Sequence, residues 1–249
     1  MILDVTTTAV PRPEIHERTF SSYTKNIKGV DWGKSTLYMN IDPLPYKSEK
    51  IYDRMRRDIL NSMFLAKKYF GNVEVNLPTK ANYTSAYNWV WSKAKTELIL
   101  NLEDDWELTR EIDIQDVIKP FQECETLYEV VLRAYSYHYP CTCTSPAILH
   151  KRYYGAIGGK LDPKRNPETQ THSRTDLGLF IPNKKNCPGE EIKKYVQVYP
   201  AKCHDENECI SKDIGREWLE SSGYDRPQNF NKRDKRFKKK CNFTKWVRK

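Results

Sequence analysis

The sequence predicts an α/β protein in which a mostly parallel sheet is flanked by helices on both faces. The first observation is that strand-like and helix-like stretches alternate along residues 1–102. The second is that the last of these strands, ELILNL, runs straight into three acids, Glu103, Asp104 and Asp105. The third is a net charge of +9 that is concentrated in the last 24 residues. Together they indicate a ligand-binding sheet with a basic C-terminal extension.

Four strands and three helices are predicted in the first part of the chain. Residues 1–8 (MILDVTTT) form the first strand, which ends in small hydroxyl residues. Pro11 and Pro13 open the first helix, whose apolar residues recur at helical spacing. The other strands are predicted over 35–41, 73–77 and 97–102, and the helices over 13–27, 52–70 and 85–95. Such alternation gives parallel strands, and ligands then bind beyond their carboxyl ends.

The three acids lie at such a carboxyl end. Neighbouring carboxylates repel one another and are costly unless a cation neutralises them. Oxygen ligands in a loop suit a hard divalent ion, and Mg²⁺ is commonly held by one or two carboxylates together with the phosphates of a substrate. Glu103, Asp104 and Asp105 therefore predict Mg²⁺ or Mn²⁺ with a phosphate-bearing ligand. An acidic loop that simply faces water is the alternative.

The last 24 residues form a basic, aromatic tail. Eleven Lys and Arg side chains stand there against one acid, Asp234, and four aromatic residues are interleaved with them. Cations bind a phosphate backbone and aromatic rings stack on bases, so the tail predicts binding to DNA. An anionic membrane surface and a merely solubilising segment are the alternatives. The candidate nucleic-acid contacts are Arg226, Lys232, Arg233, Lys235, Arg236, Lys238, Lys239 and Lys240.

The stretch NYTSAYNWVWSKAKTELILNLEDDWEL resembles the nucleotide-sugar-binding half of GT-A-type glycosyltransferases, in particular the family-2-like group with viral and bacteriophage members. The resemblance covers most of residues 1–218. It implies a GT-A-like, Rossmann-type fold and a metal-dependent transfer from a nucleotide-sugar, with UDP as the commonest nucleotide. It also implies that Asp105 binds the metal with support from Glu103, and that Asp104 lies near the ribose. The residues it places near the nucleoside are Asp4, Thr6, Thr7, Thr8 and Asp42.

The resemblance also implies roles for residues in the second half. Glu168, at a predicted helix start in NPETQ, is the expected base that deprotonates the acceptor hydroxyl, with helix capping as the alternative. Asp213 is the reserve base, and a carboxylate base near the acceptor predicts an inverting enzyme. His204 follows the strand YVQVYPA and is an expected metal or diphosphate ligand, with a surface histidine as the alternative. Arg216, presented by a glycine turn, is expected to bind the diphosphate.

These interpretations give one GT-A-like domain over 1–225, with a donor half (1–108) and an acceptor half (109–225), and the tail over 226–249. The predicted reaction is the transfer of a hexose or pentose to a hydroxymethylated base in phage DNA. Capsid or surface glycans are alternative acceptors. A non-catalytic nucleic-acid-binding protein and a metal-dependent nuclease are alternatives of other classes.

Localisation is predicted from the cysteines and from the hydropathy of the chain. Seven cysteines without paired CxxC spacing, and no recognisable signal peptide or membrane span, predict a soluble cytoplasmic protein with reduced thiols. For a viral protein this is the host cytoplasm. A zinc site is the alternative use of Cys187, Cys203, His204 and Cys209.

Overall fold

The computed structural model describes residues 1–44, 49–132, 146–172, 193–200, 209–215, 218, 224–225 and 247–248. Its centre is a seven-stranded sheet. From one edge to the other, the strands are β10 (Val196–Tyr199), β8 (Glu129–Leu132), β9 (Ala147–His150), β5 (Leu98–Glu103), β1 (Asp4–Ala9), β3 (Thr36–Ile41) and β4 (Asn72–Asn76). Three short pairs lie outside it: β2 (Ile27–Lys28) with β7 (Ile112–Asp113), β6 (Trp106–Leu108) with β11 (Ser211–Asp213), and β12 (Tyr224–Asp225) with β13 (Val247–Arg248).

Six of the seven central strands run in the same direction. β4, β3, β1 and β5 are parallel neighbours, and β10 is parallel to β8. Only β9 is reversed, and it pairs antiparallel with both β5 and β8. The helix α1 lies in the connection from β1 to β3 and α2 in that from β3 to β4, as parallel connections require. The sheet is therefore mostly parallel, and its loops after β1, β3 and β5 lie on one edge.

Helices connect the strands, and local sequence fixes several of their ends. The helices are α1 (Pro13–Asn26), α2 (Glu49–Tyr69), α3 (Tyr83–Lys93), α4 (Ile114–Glu123), α5 (Arg152–Ala156) and α6 (Pro167–His172). Pro13 opens α1, where its missing N–H costs nothing. The side chain of Asn82 caps α3 by accepting a hydrogen bond from the Ser85 amide at 2.8 Å. Asp113 caps α4 in the same way.

Apolar clusters cover both faces of the sheet. On one face, Phe20 of α1 meets Phe70, which follows α2, edge-on at 5.4 Å, over Leu100 of β5. On the other face, Trp91 of α3 packs with Tyr153 of α5. Successive strand residues point to opposite faces, so β5 contributes to both clusters. The predicted class, an α/β fold with a mostly parallel sheet flanked by helices, is confirmed.

The predicted elements of the first half all exist, with ends that differ by a few residues. The predicted acidic end of the fourth strand is also present, because β5 ends at Glu103. Two short strands that sequence reasoning did not identify, β6 and β7, follow it. Among the described residues, no helix has the length and apolar character needed to cross a membrane.

Candidate active site

The three acids lie where the carboxyl ends of three parallel strands meet. β5 ends at Glu103, and the chain turns at Asp104 and Asp105. Glu103 is aligned with Thr8 of β1, and Thr8 is aligned with Asn40 of β3. The edge of the sheet that the sequence predicted as a ligand site is thus the edge that carries the acids.

Asp104 is turned into the protein, with both carboxylate oxygens engaged. Oδ1 accepts a hydrogen bond from Arg12 Nη2 at 2.7 Å, and Oδ2 accepts one from Arg12 Nε at 3.0 Å. Oδ2 also lies 3.1 Å from His16 Nε2 and 3.2 Å from the Val10 amide. Burial acts to raise the pKa of Asp104, but the charge of Arg12 and the bonds from His16 and Arg12 outweigh it. They hold that pKa well below its ordinary value.

His16 is a second buried partner of Asp104. Its Nδ1 lies 2.9 Å from Ser62 Oγ, and that hydroxyl donates its hydrogen to the Asp58 carbonyl at 2.8 Å. Its Nε2 lies 3.1 Å from Asp104 Oδ2. The ring is fully buried, so these two contacts fix its orientation inside the protein.

Asp105 is held close to the start of the segment after β11. Its Oδ2 lies 2.9 Å from Arg12 Nη2, and its carbonyl accepts a hydrogen bond from the Ile214 amide at 2.8 Å. A Cβ atom on Gly215 would lie 2.0 Å from Asp105 Oδ2. Glycine is therefore needed at position 215 for the carboxylate to keep this place.

Five carboxylates influence one another at this edge. Burial is the main cause that raises the pKa of Glu103 well above its ordinary value, followed by the charges of Asp105, Glu168, Asp104 and Asp213. Burial also raises the pKa of Asp105; Arg12 opposes this rise, whereas Asp104 and Asp213 add to it. The structure thus brings Glu168 and Asp213, which are distant in the sequence, to the same site as the EDD stretch.

The charges in this cluster do not balance among the described residues. Arg12 lies within ion-pair distance of both Asp104 and Asp105. In the part of the chain that the structure describes, no Lys, Arg or His lies within ion-pair distance of Glu103. Burial is the main cause of the raised pKa values of Glu103 and Asp105, and the neighbouring carboxylates add to the rise. A bound cation would relieve the repulsion among these carboxylates.

Glu168 and Asp213 differ in their surroundings. Glu168 is the second residue of α6 and is exposed, and its amide donates to Asn166 Oδ1 at 2.8 Å. Asp213 ends β11, where it is aligned with Trp106, and its Oδ1 accepts a hydrogen bond from the Gly215 amide at 2.9 Å. The side chain of Glu168 is thus the more accessible of the two candidate bases.

The three threonines of β1 lie at different depths. Thr6 is fully buried and donates a hydrogen bond to Asn101 Oδ1 at 3.1 Å. Thr7 is also buried, and its hydroxyl has no hydrogen-bond partner among the described residues. Thr8 is at the carboxyl end, level with Glu103, and is 8% exposed. Of the three, Thr8 is the residue nearest to the site edge.

Asp42 follows β3 at the same edge and is nearly buried. It accepts hydrogen bonds from Asn40 Nδ2 at 2.8 Å and from the Asn82 amide at 3.0 Å. Burial outweighs these two bonds and raises its pKa to about 6. Because Asn82 also caps α3, Asp42 connects the end of β3 to the start of that helix.

Sequence reasoning did not identify Arg12 and His16 as site residues. A signal was present, since His16 lies four residues before Phe20 on the buried stripe of α1. A histidine on a stripe that also buries Ile15 and Tyr23 must find polar partners there. The acids that serve as those partners come 88 residues or more later in the chain, so the pairing itself was not visible.

Several predicted residues lie outside the described ranges, and their roles stay predictions. Cys209 is described and is buried, but the rest of the alternative zinc set is not described. Within the described ranges, no three His, Cys, Asp or Glu side chains form a ready metal site. The predicted residues outside these ranges are His204, Arg216, Cys187, Cys203, Arg226, Lys232, Arg233, Lys235, Arg236, Lys238, Lys239 and Lys240.

Comparison with known proteins gives structural matches only. No family model matches the sequence, and no curated protein matches it. Similar solved structures include S. aureus TarS, at 10% identity and a TM-score of 0.49. The match covers 82% of this chain and 36% of that chain. Another is the mannosyltransferase PcManGT from Pyrobaculum calidifontis in complex with GDP-Man and Mn²⁺, at 9% identity and a TM-score of 0.46, where 81% of this chain covers 58% of that one.

A third is GalNAc-T7 with UDP, GalNAc and Mn²⁺, at 12% identity and a TM-score of 0.44, where 68% of this chain covers 40% of that one. This chain thus spans between about a third and three fifths of the length of these proteins. At TM-scores below 0.5, nothing about its activity follows from them. The resemblance to viral and bacteriophage members stays a prediction.

Proposed function

We propose that this protein is a metal-dependent glycosyltransferase that moves a sugar from a nucleotide-sugar, most simply a UDP-sugar, to a hydroxyl acceptor. The observation that carries the proposal is the surplus of carboxylates around Glu103 and Asp105 at the carboxyl edge of a mostly parallel sheet. That edge is the ligand-binding edge of such sheets. A diphosphate with its divalent ion is the ligand that this concentration of negative charge fits.

Glu103 and Asp105 are the residues that would hold the divalent ion. Asp104 is excluded because Arg12 and His16 engage both of its oxygens. The donor set fits Mg²⁺ or Mn²⁺, since carboxylate oxygens suit these ions and one or two of them suffice when substrate phosphates complete the coordination. When bound, the ion offsets the negative charge that develops on the departing nucleoside diphosphate. His204 stays a predicted metal or diphosphate ligand, and Arg216 stays a predicted diphosphate contact.

The protein side chains around the ion would position the donor. Thr8 and Asp42 lie at the ends of β1 and β3 and are the proposed contacts for the nucleoside. Thr6 and Thr7 lie deeper, so we assign them to the support of β1 rather than to the ligand. Asp104 likewise acts from inside the protein, where it fixes the turn that presents Asp105. The predicted contact between Asp104 and the ribose is dropped for this reason.

Glu168 is the proposed base that takes the proton from the acceptor hydroxyl. Its exposed position at the start of α6 and its electrostatic interaction with Glu103 support this role. Asp213 is the alternative base. A Glu168→Gln enzyme should lose kcat with little change in the KM for the donor, whereas Asp213→Asn should keep most of its kcat. The reverse pattern would transfer the role to Asp213.

For the acceptor we propose a hydroxymethylated base in DNA. The charge and aromatic content of residues 226–249 support it, because such a segment suits a phosphate backbone and bases. A protein truncated before Arg226 should bind DNA weakly and transfer sugar to it slowly, while it still hydrolyses the donor. Unchanged DNA affinity and transfer after truncation would rule this acceptor out and favour glycans.

The donor site is tested by thermal shift with nucleoside diphosphates and UDP-sugars, each with and without Mn²⁺. A ligand that binds only the native state raises the Tm. Wild type should show a metal-dependent shift that Asp105→Asn lacks, while the control Glu107→Gln, two residues away and partly exposed, should retain it. If no nucleotide shifts wild type, the proposal fails. DNA cleavage with the metal alone would favour the nuclease reading.

A further inference from the structure

A cavity lies at the opposite end of β5 from Glu103, Asp104 and Asp105. It has a volume of about 470 Å³ and lies between the last turn of α3 and the short helix α5. Its floor includes Ile99 of β5 and Leu149 of β9. Ile99 precedes Glu103 by four residues, so the two sites are separated by roughly 13 Å along the strand. The cavity is therefore separate from the proposed donor site.

Aromatic rings form one wall of the cavity. Trp91 meets Tyr153 and Tyr154 with ring centroids 6.0 Å apart in both pairs, in edge-to-face arrangements. The indole N–H of Trp91 is used by Asn101 at 3.0 Å, so the ring is held in place. Tyr154 is half-buried and also lines the cavity. Trp91 and Tyr153 are themselves only 4% and 1% exposed, so Tyr154 is the ring of this wall that can offer its face to another ring.

The rim of the cavity is positively charged. The lining residues include three lysines and no acid. Lys93 is paired with Glu74, but neither Lys95 nor Lys151 has a carboxylate partner among the described residues. His150 adds no charge: its Nδ1 accepts from the Arg152 amide, its Nε2 lies 3.1 Å from Glu97, and burial lowers its pKa. Glu97 brings one exposed carboxylate to His150 at this rim, so Lys95 and Lys151 leave a small excess of positive charge, which favours an anionic ligand.

We propose that this cavity binds a nucleobase whose flanking phosphates contact Lys95 and Lys151, as in a segment of single-stranded nucleic acid. The aromatic wall takes the base, and the two lysines take the backbone. The volume lies within the range of small-molecule sites. This inference does not rest on the proposed transferase activity, because none of the cavity residues belongs to the carboxylate cluster.

Gly155 provides a direct way to block the cavity. It lies in α5 and lines the cavity, and a Cβ atom added there would meet nothing within 4 Å. Gly155→Leu should therefore fill the space without disturbing the fold, and Gly155→Ala is the matched control. The readout is the binding of a labelled oligothymidylate to the full chain, measured by fluorescence anisotropy in the presence of excess unlabelled abasic strand, which saturates the basic tail. Urea unfolding of each variant is the check on folding.

We expect Gly155→Leu to bind the strand about tenfold more weakly than wild type, because stacking of one base is lost. Gly155→Ala and Asp105→Asn should bind it as wild type does. Lys95→Ala and Lys151→Ala should each weaken binding and reduce the slope of log K against log salt by about 0.7. These charge variants keep the proposal testable if Gly155→Leu is unstable.

Two further probes separate the sources of the ligand. If thymidine monophosphate displaces the strand from wild type and not from Gly155→Leu, that result supports the same contacts, with a free nucleotide as the ligand. An abasic strand of equal charge that binds as tightly as oligothymidylate overturns the base pocket. The proposal is also overturned if wild type, Gly155→Leu and Lys151→Ala bind the strand equally well. In that case the lysines merely offset the dipole of α3.

Discussion

The buried pair of Arg12 and Asp104 gives the sharpest quantitative prediction. Asp104→Asn removes the charge that accepts two hydrogen bonds from Arg12, and Arg12→Met removes the guanidinium while it keeps an apolar side chain. Arg12 is 4% exposed and Asp104 is 5% exposed, so neither residue can turn to water without a change in the fold. The charge left behind by either single change is therefore buried.

Breaking a buried pair from one side costs about 3–5 kcal/mol, because the remaining charge is uncompensated. Either variant should lose stability of this order, which corresponds to a fall in Tm on the order of 10 °C for a chain of this length. The double variant removes both of these charges and leaves only Asp105 without Arg12, so its loss should be clearly smaller than the sum of the two single losses. Urea unfolding followed by circular dichroism measures all three.

The exposed pair of Arg18 and Glu107 is the matched control. Its oxygen and nitrogen lie 2.9 Å apart, as close as in the buried pair, but the side chains are 42% and 31% exposed. Arg18→Met and Glu107→Gln should each cost less than about 1 kcal/mol. If Asp104→Asn costs no more than Glu107→Gln, Asp104 is not held inside the protein, and its assignment to the support of the turn is wrong.

Three other predictions concern the site and its edge. Gly215→Ala should displace the carboxylate of Asp105 and lower the Mn²⁺-dependent shift in Tm with UDP. Gly155→Ala, whose added Cβ meets no atom within 4 Å, should keep that shift. Equal shifts in Tm would contradict the close packing of Gly215 against Asp105. Glu168→Gln should lower kcat about 10²–10⁴-fold, and an unchanged rate would remove its role as base. The raised pKa of Asp42, about 6 against an ordinary 3.8, means that the folded state favours the protonated carboxyl. Relative to Asp42→Asn, wild type should therefore lose up to about 3 kcal/mol between pH 4 and 7, and a constant difference across this range would contradict the buried state.

The fold of the first half was predictable because its signals are local. The strands β1, β3, β4 and β5 and the helices between them each carry their own periodicity, and the alternation of the two fixes parallel connections. The EDD stretch was recognisable as a strand end for the same reason. β6 and β7 were missed because two or three residues are too few to show a period.

The arrangement of the site was less predictable, because it depends on contacts between distant segments. Nothing near Asp104 in the sequence indicates that Arg12 and His16 engage it, so the three acids looked equally available for a ligand. The structure separates Asp104, which is held inside, from Glu103 and Asp105, which keep the surplus charge. Convergence of Glu168 and Asp213 on Glu103 follows from β11 and α6, whose positions no local pattern determines.

The central claim is that the carboxylate edge binds and cleaves a nucleotide-sugar. Its most direct test is the slow release of UDP from UDP-sugars without an acceptor, followed by anion-exchange chromatography. The account predicts that wild type and Glu107→Gln release UDP only when Mn²⁺ or Mg²⁺ is present, and that Asp105→Asn does not release it. Release that persists in Asp105→Asn, or no release by wild type from any nucleotide-sugar, would contradict it.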